Sequence, residues 1–254
     1  MLKNIRLEFK KTTRPVLLTT TLLTVLTCVL TCTITREYAL RFPIDAWEVG
    51  TEYIGLLFPL FVTIPICWEL YYERKDRFIV YTLPRIGRQR YLSAKWCASA
   101  VSSFLILLVP YMLSALCALY INRPERLWES PEGYRHVFHE FYTQMPLAYA
   151  LLLSLWKSLL GVLVMSFGFV LAMYGSNIFV ILTAPFLYVI LENFLWAVLG
   201  LPEFRFVTAF EPTSVTAYAV QPASFFAGPL LLCCVMSLVV CYYRTMKKRS
   251  VYPV

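Results

Sequence analysis

The sequence predicts an all-α membrane protein: six transmembrane helices, an amphipathic interfacial helix at the N-terminus, and a cytoplasmic helix between the second and third spans. Three observations predict it. Of 254 residues, 59% are apolar and only 15% charged, against roughly 45–50% and 25% in soluble domains. Six apolar runs each approach or exceed the ~20 residues that cross a bilayer as a helix. The basic residues also gather in alternate connections. This excludes a soluble two-domain enzyme, a disordered chain and a disulfide-stapled scaffold. The net charge of +8 lies beside the apolar runs, as topology signals do, so nucleic acid is not the expected partner.

Residues 1–14 place Leu2, Ile5 and Phe9 at helical spacing, with Lys3, Arg6, Lys10 and Arg14 around the rest of the helix. The pattern predicts a helix lying among lipid headgroups; the plainer alternative is a basic leader that only fixes orientation. The expected spans are 15–35, 53–72, 96–121, 147–173, 178–200 and 225–243. Prolines at 59, 65, 110, 185 and 229 do not forbid them, because neighbouring helices satisfy freed carbonyls. Val25-Leu26-Thr27-Cys28 and Val29-Leu30-Thr31-Cys32 resemble lipidation boxes, but the length and flanks of the first run favour a retained helix.

With the N-terminus inside, the cytoplasmic pieces hold 16 Lys and Arg and the outer pieces 6. That excess places both termini in the cytoplasm of a multi-pass plasma-membrane protein. All eight cysteines lie in apolar runs without a CxxC pair and read as small apolar residues.

The largest cytoplasmic piece, residues 73–95, reads "ERKDRFIVYTLPRIGRQRYLSAK". Glu73 and Arg77 have the i,i+4 spacing of a helix surface pair, and Pro84 and Gly87 are expected to end that helix and turn the chain. A bare topology loop needs its cations but not Phe78, Ile79, Tyr81 and Leu83, which want a membrane surface or a protein groove.

This layout resembles the permease subunit of ABC-2-type ABC exporters. The resemblance rests on the basic start "EFKKTTRP", six spans with both ends inside, and the loop "ELYYERKDRFIVYTLPRIGRQRYLSAKW". In that family the loop opens with an acidic residue, passes a Leu-Pro-x-x-x-Arg-like turn and closes on a lysine. Glu73, Leu83-Pro84, Arg88 and Lys95 match those positions. The resemblance implies ATPase coupling through Glu73, Arg77, Phe78, Tyr81, Leu83, Pro84, Arg85 and Arg88. It implies a separate ABC ATPase subunit that carries ATP and magnesium, and a second permease subunit, either the same chain or a paralogue. It also implies short, partly re-entrant helices between the fifth and sixth spans, within 201–224. No Gly-x-x-x-x-Gly-Lys-Ser/Thr phosphate loop occurs, so catalysis by this chain is not expected. The expected function is export of an amphipathic substrate such as an antimicrobial peptide, lipid or drug. The alternatives are an intramembrane hydrolase or protease, and a sensory or anchoring membrane protein.

Inside the spans, Lys157 and Glu192 stand out, because an unpaired charge at depth costs at least ~2.5–3.5 kcal/mol. Two arrangements are open: a Lys157–Glu192 pair that fixes spans four and five, or separate snorkelling. Thr20, Thr24, Thr27 and Thr31 share one face of span one, for close packing or, less simply, a polar path. His136, His139 and Glu140 fall short of a zinc motif in spacing and ligand number. With Val137, Phe138, Phe141 and Tyr142 they predict a segment resting on the outer membrane surface.

Overall fold

The computed structural model describes residues 2–37, 40–76, 78–79, 81, 87–121, 137–215 and 220–245, and every regular element among them is helical. The long helices are α1 (Leu2–Thr33), α2 (Asp45–Lys75), α3 (Arg88–Leu116), α5 (Pro146–Tyr174), α6 (Ile178–Val198) and α8 (Pro222–Thr245). Two short ones, α4 (His139–Gln144) and α7 (Phe206–Phe210), lie in the connections before α5 and α8. A π-helical turn, Cys117–Ile121, prolongs α3. Among the described residues six helices are long and apolar enough to cross a membrane, so the chain is a multi-pass helical membrane protein.

The helices run alternately up and down. The start of α1, the end of α2, the start of α3 and the ends of α5 and α8 meet at one end, called here the N-terminal end. The centre is α2 and α5, with 56% and 50% of their apolar windows buried, while α8 buries only 17% and stands at the edge. α1 packs chiefly on α3, and α3 and α2 both pack on α5.

Two features differ from the sequence expectation. The first 14 residues do not form a separate helix: α1 runs unbroken through Pro15. Proline removes one backbone bond, but Glu8 and Lys11 on the preceding turns are held by ion pairs to α2 and α3, so that turn stays in line with the span. The second helix begins at Asp45, eight residues before the expected span. Asp45 Oδ2 accepts the backbone N–H groups of Arg41 and Phe42 at 2.8 and 2.9 Å, fixing the entry to this helix.

Several expectations do match. Gly87, with φ 82°, leads into α3 as the turn residue at that place, and a left-handed φ suits glycine. Asn177, which the sequence did not single out, caps α6 by accepting the Phe179 N–H. Of the threonine face, Thr20 and Thr24 bond carbonyls of their own helix. Thr27 reaches the Pro110 carbonyl across to α3, and Thr31 sits directly against Gly50 of α2. This face packs helices.

Candidate functional site

The connection after α6 does not stay at the far end of the bundle. From Pro202 it makes a short 3-10 turn, then α7, then a second 3-10 turn at Pro212–Ser214. Its middle descends between α2, α6 and α8. Glu192 on α6 holds the top of α7, both carboxylate oxygens accepting the Phe206 N–H at 2.9 and 3.1 Å. Phe206 and Phe210 stack on Phe58 of α2, with ring centroids 6.1 and 4.0 Å away. On the other side Gly228 of α8 meets the α7 backbone; a Cβ there would lie 2.6 Å from the Phe206 Cα. Only a residue without a side chain permits that approach.

At the lowest point of this wedge lies the ion pair. Lys157 Nζ donates to both oxygens of Glu211, each at 2.6 Å. Lys157 is fully buried and Glu211 is 3% exposed. Lys157 stands eleven residues into α5, about 16 Å of helix from its far end, so the segment 201–215 reaches roughly half the depth of the bilayer. Three rings surround the ammonium: Tyr111 at 4.6 Å, Trp47 at 5.2 Å and Phe210 at 5.4 Å from their centroids. Their π faces stabilise the cation where water is excluded. The neighbouring Trp156 donates its indole N–H to the Ala209 carbonyl, which satisfies one backbone group of the descending segment.

The Lys157–Glu192 pair considered from the sequence is therefore not formed. Each charge instead engages the 201–215 segment, Lys157 through the Glu211 carboxylate and Glu192 through a backbone N–H. Sequence reasoning missed Glu211 because it lies in a connection rather than a span. Its signal was an acid in the apolar stretch Phe206-Val207-Thr208-Ala209-Phe210-Glu211.

From this pair an aromatic column leads to the far end. Tyr111 and Trp47 are 6.4 Å apart, Trp47 and Tyr149 6.3 Å, Tyr149 and Tyr142 5.0 Å, all edge to face. Tyr149 donates to Glu48, and Tyr142 to Asp45. Burial, then the Glu48 and Asp45 carboxylates, push the Tyr142 phenol well above its usual pKa. Tyr142 is thus turned into the bundle, while Phe138 and Phe141 on the same short stretch remain exposed. His139 opens α4; His136 lies outside the described residues.

At the N-terminal end a second charged cluster joins three helices. Lys95 of α3, 3% exposed, binds Glu73 of α2 and lies 3.4 Å from Glu8 of α1 and 3.9 Å from Glu69 of α2. Lys11 bridges Glu8 and Glu73 at 3.0 and 2.9 Å, and Tyr91 donates to Glu73. Three carboxylates face two ammonium groups in a partly dry place, where such interactions are stronger than at an open surface. Beside the cluster opens a cavity of about 520 Å³, lined by Lys11, Trp68, Tyr72, Glu73, Phe78 and Tyr81 among others.

Of the residues expected to couple to an ATPase, Glu73 belongs to this cluster rather than to an outward face. Phe78 and Tyr81 are exposed, at 47% and 75%, while Ile79 is buried. Arg88 opens α3. Arg77, Leu83, Pro84 and Arg85 lie outside the described residues. The two ends of the loop, Glu73 and Lys95, are brought together as an ion pair.

No family model, curated protein or solved structure matches this chain.

Proposed function

We propose that the chain is the membrane-spanning subunit of an ATP-driven exporter of the ABC-2 type. In this reading both termini and residues 73–95 face the cytosol, and the chain pairs with a second permease in the plasma membrane. A separate ATPase subunit binds ATP and magnesium and docks on the loop through Phe78 and Tyr81. The substrate class is amphipathic: an antimicrobial peptide, a lipid or a drug.

The observation that carries this reading is the junction of Glu8, Lys11, Glu73 and Lys95 directly behind two exposed aromatic side chains. A force applied at Phe78 and Tyr81 enters α2 at its end. The buried ion pairs there oblige α1 and α3 to move with it, because separating them strands charges away from water. Three helices then turn as one body. The rest of the bundle, α5 and α6 held to the 201–215 segment through Lys157–Glu211 and Glu192–Phe206, supplies the surface against which that body moves. Exposed aromatic anchors of this kind are the usual energetic centres of protein interfaces.

The test is isolation of the tagged chain from its native membrane with identification of what accompanies it. An ATPase carrying a phosphate loop is expected, and it is expected to be lost from Phe78→Ala/Tyr81→Ala. A chain that comes alone, or one whose companions are unaffected by those changes, contradicts the reading.

A further inference from the structure

We propose that a slot between α3, α5 and α8, at the N-terminal end of the bundle, binds a diacyl phospholipid with an anionic headgroup. Its acyl chains would lie along α8 and its phosphate on Arg244. The inference does not depend on the transport role.

Among the described residues, α8 is held most closely at two places. In its far half Ser224, Gly228 and Leu232 are buried against the bundle. At its other end Tyr243 stacks on Tyr174, centroids 5.3 Å apart. Between these places Val235, Met236 and Val239 pack partly buried against the core, and beside them opens a slot of about 740 Å³ whose walls include Trp96, Leu163, Phe169, Met236 and Val240. The size is that of a ligand site, roughly 300–1,000 Å³. It extends along α8 from Cys233 to Arg244, about 16 Å of helix. One leaflet of hydrocarbon is about 15 Å deep, so the slot matches a single leaflet.

Its chemistry is graded in the same direction. The deep part is apolar, and its Ser166 hydroxyl is already engaged by the Trp96 indole N–H. Arg244 and Thr245 stand at the mouth, both exposed, and the sequence goes on through Lys247, Lys248 and Arg249. The described lining contains no carboxylate, so a phosphate meets a cation there without competition. An apolar slot left empty forfeits the dispersion contacts of its walls, and water finds few partners in it.

The experiment is native mass spectrometry of the full chain in detergent, with phosphatidylglycerol or phosphatidylcholine added at equal concentration. The wild-type chain is expected to retain phosphatidylglycerol in preference. Arg244→Gln, at an exposed position, is expected to weaken that retention about fivefold, the value of one basic side chain at an anionic lipid surface. Ser237→Trp, which fills the slot, is expected to abolish it. Equal retention of both lipids by the wild-type chain overturns the proposal, as does phosphatidylglycerol retention that Arg244→Gln leaves unchanged. Loss of a dimer in Ser237→Trp with lipid retention unchanged assigns the slot to a second copy and also overturns it.

Discussion

Lys157 and Glu211, 54 residues apart in the chain, meet in a two-oxygen ion pair with both N–O distances at 2.6 Å, inside a ring of three aromatic side chains. The pair ties the middle of α5 to a segment that enters the bundle from the far end and goes back out. It explains how two charges rest at half depth: each answers the other, and Trp47, Tyr111 and Phe210 enclose the cation.

Removing one member strands the other. Breaking a buried pair typically costs about 3–5 kcal/mol, whereas replacing both partners by apolar groups is often nearly neutral. Lys157→Met and Glu211→Leu are each expected to lower the thermal midpoint of the detergent-solubilised protein strongly. The double variant is expected to recover much of the loss. Additive losses in the thermal unfolding series contradict the pair.

Glu192 acts on the backbone instead. Glu192→Ala removes the acceptor for the Phe206 N–H and is expected to cost about 0.5–2 kcal/mol, the range for a lost helix cap. Glu192→Gln keeps an acceptor and is expected to cost less. On the other side of α7, Gly228→Ala drives a methyl into the Phe206 backbone and is expected to cost about 1–3 kcal/mol by overpacking. Protease sensitivity of the 201–215 connection reads all three changes.

The junction at the N-terminal end ranks its two lysines. Lys95 is buried and faces three carboxylates, while the Lys11 side chain is 40% exposed. Lys95→Met is therefore expected to destabilise by several times as much as Lys11→Met. Unfolding midpoints measured side by side check this, and equal effects contradict the placement of Lys95 at the centre.

The seating of α1 on α3 has its own chemical reporter. The Cys28 and Cys117 sulfurs lie 3.5 Å apart. With the other six cysteines replaced, a mild membrane-permeant oxidant is expected to link these two, seen as a fragment pair that stays joined after proteolysis between α1 and α3. A cysteine moved to position 22, which faces outward, should not link to Cys117.

Much of the architecture was legible in the sequence, because spanning a bilayer demands long apolar runs and these were present without ambiguity. The ends of the helices were less legible. Asp45 and Pro15 mark where local polar bonding, not hydropathy, decides how far a helix continues. Within the site, Lys157 and Glu192 were visible as charges in apolar surroundings, but their partners were not. Glu211 and the Phe206 N–H come from a connection whose descent depends on Gly228 admitting it and Phe58 stacking on it. Neither feature has a periodicity. The junction was half legible: Glu73 and Lys95 mark the two ends of the loop in the motif, while Glu8 joins them only because α1 continues straight through Pro15.

The most direct test of the account is the rate of ATP hydrolysis by the proposed companion ATPase in proteoliposomes, with the wild-type chain and with Phe78→Ala/Tyr81→Ala. The account predicts that the wild-type chain raises hydrolysis above that of the isolated ATPase and that the double variant returns it to that level. Hydrolysis that is the same with either chain contradicts it.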